Sequence, residues 1–475
     1  MENSRNPDAE RSPPQERSPR DRFDPDALAH VLTESLRLTP TDPLVVAYSG
    51  GMDSHVLLHA AAALRARAPW QLSAVHIDHG LQPASAAWAR HAAAVCAALA
   101  VPYRAERVAV RDIAALGLEE AARRARYGAL RRLLPAGAVL LTAHHEDDQA
   151  ETLLLQLLRG AGPAGLAAMP AIAPFGPGRI ARPLLGFPRA ALARYAAEHG
   201  LAWVEDASNR DIGLARNFLR RRVLPVLAER WPRATARLAA AARHQAEALA
   251  LLEALGREDA AACADEEGGL SVAALHALAP ERRRNALRYW LRAHGARAPS
   301  ERVLREVVAR IETTPRTRHA AVRLPEGEVR RYRDRLVWLA HVRAATGAWE
   351  AVWEPTQALE GPGGAWRLRA APVYGRGLSQ ARIAGKTLRV RLRRGGERCL
   401  LRGHHRKLKK LLQEAGMPPW ERARLPLVYV DDTLAAVGDR WVCDPYAARD
   451  DESGLALVLE QPSREPTTPG GCCLR

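Results

Sequence analysis

Aromatic residues are scarce in this 475-residue chain, at 5%, with only four phenylalanines and four methionines. A core with so few rings must be built from aliphatic side chains, and the Ala/Leu/Arg-rich stretches that dominate favour helices by intrinsic propensity. No run of eighteen apolar residues occurs, so no transmembrane helix is expected. The first 24 residues are polar, charged and proline-containing; they lack the apolar core of a signal peptide and read as a disordered leader. Cysteine is sparse as well. Cys96, Cys263, Cys399, Cys443, Cys472 and Cys473 include no C-x-x-C pair, so neither a zinc ribbon nor a thioredoxin-like site is signalled. Scattered thiols of this kind suit a reducing cytoplasm, the expected location, with no membrane partner. The closing Cys-Cys-Leu-Arg imitates a prenylation box but ends in arginine, and 461–475 reads as a frayed tail.

Negative charge is also in short supply, with 53 Asp/Glu against 70 Lys/Arg and a net charge of +17. Such an excess points to a polyanionic partner, nucleic acid ahead of membrane because no basic amphipathic anchor stands out. Between residues 381 and 425 stand fourteen Lys/Arg and three Asp/Glu, so a small part of the chain carries most of the imbalance.

Near the start, nearly continuous apolar runs at 44–49, 72–78 and 138–144 read as parallel strands buried on both faces, with a weaker one at 103–110. Helical patterns intervene at 54–66, 85–99 and 118–134. The alternation implies an α/β fold with a doubly wound parallel sheet, followed by a mostly helical middle domain and a small α+β C-terminal domain. The expected organisation is a leader over 1–24, a nucleotide-binding catalytic domain over 25–232, a helical domain over 233–345, a linker region over 346–377, a basic domain over 378–460 and a tail over 461–475. Within these, 183–232 reads as helical closure of the first domain, 320–339 as short alternating segments, and 361–377 as the glycine- and proline-rich linker. In the basic domain, 387–393 and 427–430 read as strands and 406–414 as a basic helix. Ligands of a doubly wound sheet bind beyond the carboxyl ends of its strands, so chemistry is expected after Ser49, Asp78 and His144.

The sharpest signal is Ser49-Gly50-Gly51-Met52-Asp53-Ser54, between a buried strand and a helix. Two glycines allow a tight turn that brings N–H groups to phosphate oxygens, both serines add hydroxyls, and the helix offers its positive N-terminus. Asp53 cannot attract phosphate; its natural task is to hold Mg²⁺ against it. The bland alternative is a serine/glycine turn capping a helix. A Walker A loop is absent: Gly385-Lys386-Thr387 ends like one, but Gln380 stands where its first glycine should be.

S-G-G-x-D-S after the first strand is the signature of the PP-loop ATP pyrophosphatases, an adenine nucleotide alpha hydrolase-like fold, and this chain resembles them. Four further motifs narrow the likeness: His76-Ile77-Asp78-His79-Gly80-Leu81; Glu119-Glu120-Ala121-Ala122-Arg123-Arg124-Ala125-Arg126-Tyr127; His144-His145-Glu146-Asp147-Asp148-Gln149-Ala150-Glu151-Thr152; and Glu205-Asp206-Ala207-Ser208-Asn209-Arg210-Asp211, followed by Arg216-Asn217 and Arg220. Over roughly 44–227 these look like the tRNA(Ile)-lysidine synthase family. The stretch Leu408-Lys409-Lys410-Leu411-Leu412-Gln413-Glu414, then Pro418-Pro419-Trp420, resembles that family's terminal domain. Gln82 replaces an expected arginine. The resemblance implies a ligase that uses ATP to adenylate C2 of the wobble cytidine in the CAU anticodon of an isoleucine tRNA. The amine of free lysine then displaces AMP, so that the tRNA reads AUA. The implied partners are the tRNA(Ile) anticodon loop and lysine, with no stable protein partner beyond a homodimer.

That chemistry needs carboxylates, because free lysine with a pKa near 10.4 arrives as an ammonium that must be bound and deprotonated. Asp147, Asp148 and Glu151 lie three and four residues apart on one helical surface. With Asp53, His144 and His145 they form the expected catalytic set; helix capping explains one carboxylate but not the cluster. The expected ATP contacts are Ser49, Gly50, Gly51, Met52, Asp53, Ser54, Asp78, His79 and Arg126, with Mg²⁺ on Asp53. Arg123 and Arg126 would clamp phosphate or tRNA backbone, or else are solvated helix charges. Glu205, Asp206, Ser208, Asn209, Arg216 and Asn217 border the substrate cleft, and Trp203 reads as a core residue rather than a base-stacking platform. Arg123, Arg216, Asn217, His404, His405, Arg406, Lys407, Lys409 and Lys410 form the expected tRNA-binding set, which confers salt-sensitive affinity with little sequence reading. His404-His405 lacks partners at metal-ligand spacing. The competing readings are a PP-loop tRNA thiolation enzyme, for which the cysteines are poorly placed, and a non-catalytic RNA-binding protein on a nucleotide-binding fold.

Overall fold

The computed structural model describes residues 22–80, 84–206, 210–296, 299, 301–313, 320–340 and 349–460. The chain divides into two compact units, one running to Ala254 and the other starting at Leu255. In the first, β1 (Leu44–Ala47), β2 (Leu72–Asp78), β3 (Tyr103–Arg107), β4 (Val139–Leu141), β5 (Ile172–Phe175) and β6 (Gly178–Ala181) form one sheet in the order β3-β2-β1-β4-β6-β5. All neighbours are parallel except β5, which folds back antiparallel on β6.

Residues alternate across the sheet. Leu44 and Val46 enter one apolar core with Val56, Leu57 and Leu192, while Val45 enters a second with Leu130, Leu140 and Ile180. Helices therefore cover both faces, which is why β1 and β4 read as unbroken apolar runs. From β1 the chain builds outward through β2 and β3, then returns to β4 on the other side. That reversal opens a crevice at the carboxyl ends of β1 and β4, where Ser49 and His144 emerge.

The β5–β6 hairpin is absent from the sequence reading, because Pro174, Gly176, Pro177 and Gly178 look like a loop. An edge strand tolerates proline. Gly178 is obligatory: a Cβ there would lie 2.1 Å from the Ala138 carbonyl oxygen. The leader expected over 1–24 must also be shortened. Phe23 is buried edge-on against Phe187 and Tyr195, at 5.1 and 5.2 Å, and Asp24 caps the helix Pro25–His30 by accepting from the Ala27 N–H at 2.8 Å. Residues 1–21 and 461–475, the rest of the expected leader and tail, lie outside the described residues.

In the second unit, the helices Val272–Ala277, Pro280–Ala293 and Glu301–Thr313 accompany a four-stranded sheet of Leu270–Ser271, Arg335–Ala340, Gly327–Tyr332 and Ala320–Leu324. The expected linker is structured. Arg367–Tyr374 pairs along its whole length with Ser453–Glu460, and Trp353, Trp366 and Leu368 share a core with Val390 and Val428. The basic stretch also differs from the expected helix. His404–Lys407 is a strand paired with Arg398–Leu401, and the helix begins only at Leu408. Cys399 and Cys443 are joined in a disulfide, Cα atoms 5.8 Å apart, where free thiols were expected. No helix among the described residues is long and apolar enough to cross a membrane.

Candidate active site

Ser49 leaves β1 after the buried Tyr48, whose carbonyl accepts from His76 Nδ1 at 2.9 Å. Gly50 has φ of +86°, a left-handed conformation that disfavours any residue with a Cβ. Gly51 caps the helix Met52–Leu64. The Ser54 hydroxyl donates to the Gly51 carbonyl at 2.9 Å and receives the Ser49 N–H at 3.2 Å, and the two serine hydroxyls lie 3.0 Å apart. The loop is thus locked by its own side chains. It is also tied to a distant segment, because the Val204 N–H donates to the Gly50 carbonyl at 3.0 Å. Trp203 beside it is 38% exposed, so the expected core role is corrected.

Across the crevice, His145 precedes the helix Glu146–Leu158, and the Asp148 carboxylate accepts the His145 N–H at 3.1 Å. The His145 ring sits among three acids, 3.7 Å from Asp53, 3.5 Å from Asp147 and 3.4 Å from Asp148. Arg220 Nε donates to Glu151 at 2.6 Å, and its Nη2 reaches Glu151 at 3.2 Å and Asp148 at 3.0 Å. Arg189 Nε lies 3.6 Å from Asp53, while the Arg189 backbone N–H donates to Asp147 at 2.9 Å. Arg216 donates to the Thr152 hydroxyl at 3.1 Å. Asp53, His145, Asp147, Asp148 and Glu151 therefore share one network, and His144 flanks it, bonded to the Thr142 hydroxyl at 2.9 Å.

Burial and charge separate the titrations. Desolvation raises Asp53, outweighing His145 and Arg189. It also raises Glu151, against the pull of Arg220. Burial works against the charged form of His145, but Asp148, Asp147 and Asp53 prevail and raise its pKa. Burial likewise opposes ionisation of Asp147 and Asp148, yet His145 and neighbouring cations and N–H groups hold both below the usual range. Desolvation, helped by Arg182 and Arg216, pushes His144 down to about 3, so it is neutral at physiological pH. Environments that drive adjacent groups apart in this way mark acid–base sites.

The remaining expected residues divide. Asp78 accepts the Gly80 N–H at 2.8 Å, a strand-end cap. His79 and Arg126 lie near enough for the guanidinium to help burial depress the imidazole. Arg123 is engaged along its own helix, 3.5 Å from Glu120 and over the Tyr127 ring at 5.0 Å. Asn217 is buried and donates to the Asp211 carbonyl at 2.8 Å, which withdraws it from the expected tRNA contacts. Glu205 pairs with Arg210 at 3.1 Å on the surface, while Ser208 and Asn209, like Leu81 and Gln82, fall outside the described residues. In the second unit, His404, His405, Lys407, Lys409 and Lys410 are exposed, whereas Arg406 pairs with Glu414.

Sequence reasoning assigned no role to Arg189 or Arg220. Arg189 opens the helix Arg189–Glu198, where a cation opposes the helix dipole, and that misfit was the available signal. Arg220 lies in a π-helical turn, Leu219–Val223, a geometry concentrated at functional sites but invisible in composition. As for metal, no group of three or more His, Cys, Asp or Glu among the described residues is arranged to hold an ion alone. Mg²⁺ bound with a nucleotide needs only one or two carboxylates beside the phosphates. Asp53 Oδ1, buried and without a hydrogen-bond partner, fits that demand.

The comparisons agree along the chain. A PP-loop domain is matched over residues 26–227, a TilS substrate binding domain over 270–337 and a TilS substrate C-terminal domain over 388–459. The tRNA(Ile)-lysidine synthase of Alkalilimnicola ehrlichii is 44% identical, covering 94% of this chain and 98% of that protein. That of Methylococcus capsulatus is 43% identical over 88% of this chain and 97% of the relative, and that of Coxiella burnetii 38% over 93% and 97%. With this identity over nearly the full length of its relatives, and a PP-loop domain whose glycine loop faces a buried His/Asp/Glu network, the chain belongs to the tRNA(Ile)-lysidine synthase family.

Proposed function

We propose that this chain joins lysine to C2 of the wobble cytidine of tRNA(Ile), using ATP and releasing AMP and pyrophosphate. The observation that carries the reading is the meeting of the glycine loop and the acidic helix at one crevice, with His145 3.7 Å from Asp53. The loop cradles the triphosphate through its N–H groups and the helix N-terminus. Asp53, Oδ1 inward, would hold Mg²⁺, which supplies charge neutralisation at the phosphates when bound.

The C2 oxygen of cytidine attacks the α-phosphorus of ATP and pyrophosphate leaves. Arg189 and His145, whose charged form its acidic neighbours favour, stand beside Asp53 and face the charge that develops there. The lysine amine then attacks C2, and the C–O bond to AMP breaks. Before attack the ammonium must lose a proton, and the adduct loses another. Asp53 and Asp147 are both 30% exposed; with Asp53 given to Mg²⁺, Asp147 is the carboxylate left open to an arriving ammonium. Glu151, held high by burial, is the acid best matched to accept a proton once Arg220 yields it. The exposed basic face carrying Lys407, Lys409 and Lys410 would bind tRNA phosphates.

Among the described residues a thiolation reading has no support at the site. Cys96 and Cys263 are buried, and Cys399 is bonded to Cys443. The deciding experiment follows pyrophosphate release and radiolabelled lysine incorporation with ATP and tRNA(Ile). Pyrophosphate release that needs tRNA, with lysine appearing at the wobble cytidine, is the expected result. Lysine-independent sulfur transfer, or tRNA binding with no ATP turnover, would sink the proposal.

A further inference from the structure

The Pro418-Pro419-Trp420 stretch, which opens the short helix Pro419–Arg422, has no place in the chemistry above, yet it makes a dense set of contacts. Trp420 meets Tyr332 edge-on, ring centres 5.9 Å apart at 79°, and the Arg330 guanidinium lies 5.3 Å over the indole. Tyr332 is buried at the end of the strand Gly327–Tyr332, in the sheet that precedes the terminal domain. Its hydroxyl donates to the Met417 carbonyl at 3.4 Å, and Arg422 Nε donates to the same oxygen at 2.6 Å. Arg333, 5.4 Å over the Tyr332 ring, donates to the Gln413 carbonyl at 3.5 Å, close to the end of the helix Leu408–Glu414.

The path from this joint to the basic face is short. Met417 is buried in one cluster with Leu408, Leu411 and Leu412, the apolar side of that helix. The opposite side carries the exposed Lys409 and Lys410. Edge-to-face rings and a cation over an indole are directional as well as attractive, so the contact fixes angle and distance together. A phosphate-binding face held at fixed spacing from a neighbouring sheet engages RNA without first ordering itself, which lowers the cost of binding.

We propose that Tyr332 and Trp420 are positioning residues for tRNA: they lock the basic helix Leu408–Glu414 onto the sheet Gly327–Tyr332, so that one rigid surface meets the RNA backbone. This rests on the reading of the basic face as a tRNA site. The test is a double-mutant cycle on tRNA(Ile) affinity in the full chain. Lys409→Gln with Lys410→Gln should weaken binding by about tenfold near physiological salt. In a Trp420→Ala background the same pair should cost less than about threefold, because the helix is no longer held in place. Trp420→Ala should raise KM for tRNA while kcat and the KM for ATP and lysine stay, and Trp420→Phe should restore most of the affinity. Arg333→Ala, exposed and outside the core, gives the same coupling at smaller size should Trp420→Ala fail to fold. Additive losses in the cycle would overturn the joint and leave the basic face standing. No loss from the lysine pair in the otherwise native chain would overturn the tRNA reading of that face, and the joint with it.

Discussion

Arg220→Gln removes a guanidinium that donates to Glu151 at 2.6 and 3.2 Å and to Asp148 at 3.0 Å. Glu151 has 0% exposure, so without Arg220 its charge has no route to water. Breaking a buried ion pair costs about 3–5 kcal/mol. Arg220 is 36% exposed, and solvent screening of that end reduces the expected loss to about 2 kcal/mol. The pH dependence has a definite sign. Asp148 is held below its ordinary 3.8 because His145, His144 and Arg220 outweigh its burial, and the stability this provides exists above that value and is lost as pH falls through the lower folded one. Glu151 lies above its ordinary 4.5 through burial, and losing Arg220 raises it further. The variant is therefore penalised most at neutral pH, where Glu151 would have to ionise, and least in acid, where it is protonated in the folded and unfolded states alike. Hydrogen exchange of peptides from Glu146–Leu158 reads this locally. Relative to the native chain, opening should be about thirtyfold more frequent near pH 7.5, and the ratio should shrink toward pH 4.5 without reaching parity, because Asp148 is still ionised there and has also lost Arg220. Equal ratios at both pH values would refute the buried-pair argument.

Four further outcomes are expected. Asp53→Ala should abolish ATP-dependent lysine incorporation while tRNA(Ile) affinity survives in a filter-binding assay; turnover close to native would remove Asp53 from the loop's chemistry. Glu151→Gln should retain tRNA-dependent pyrophosphate release but slow lysine incorporation by about 10²–10⁴, the usual weight of a general base; equal slowing of both steps would assign Glu151 elsewhere. Gly50→Ala meets no atom within 4 Å but keeps φ at +86°, so it should cost about 1 kcal/mol and raise KM for ATP severalfold. An unchanged KM would show that the loop tolerates another conformation. Cys399 and Cys443 should resist alkylation in the unfolded chain until a reductant is added, and mass spectrometry of the labelled peptides reads this directly.

The parallel sheet was legible because burial on both faces leaves a simple trace. Val45 and Val46 must both be apolar when helices cover both sides, and the run announces the strand. The glycine loop was legible for a similar reason, since few local geometries require Gly50 and Gly51 between a strand and a helix. What escaped depended on partners remote in sequence. Gly178 reads as a turn until the Ala138 carbonyl is found against it, and Arg367–Tyr374 reads as a linker until Ser453–Glu460 pairs with it. Cys399 and Cys443, separated by 44 residues, carry no spacing signal at all. The roles of Arg189 and Arg220 escaped because their acids are remote in sequence: Glu151 lies 69 residues from Arg220, and the one local hint, a cation opening the helix Arg189–Glu198, names no partner.

Those two arginines resolve a difficulty in the proposed chemistry. The crevice must accept a polyanion and then a cation, yet Asp53, Asp147, Asp148 and Glu151 surround it. Four bare carboxylates would repel a triphosphate. Arg189 and Arg220 offset them, helped by His145, whose charged form the acids favour, so the phosphates meet a site with much of its negative charge compensated. Departure of pyrophosphate, with its negative charge, leaves the acids partly uncompensated on the side of Asp147 that faces solvent. The same residues then attract an ammonium. On this reading the order of events, adenylation before lysine, follows from charge balance alone: an ammonium bound too early would compete with Arg189 and Arg220 for the same carboxylates.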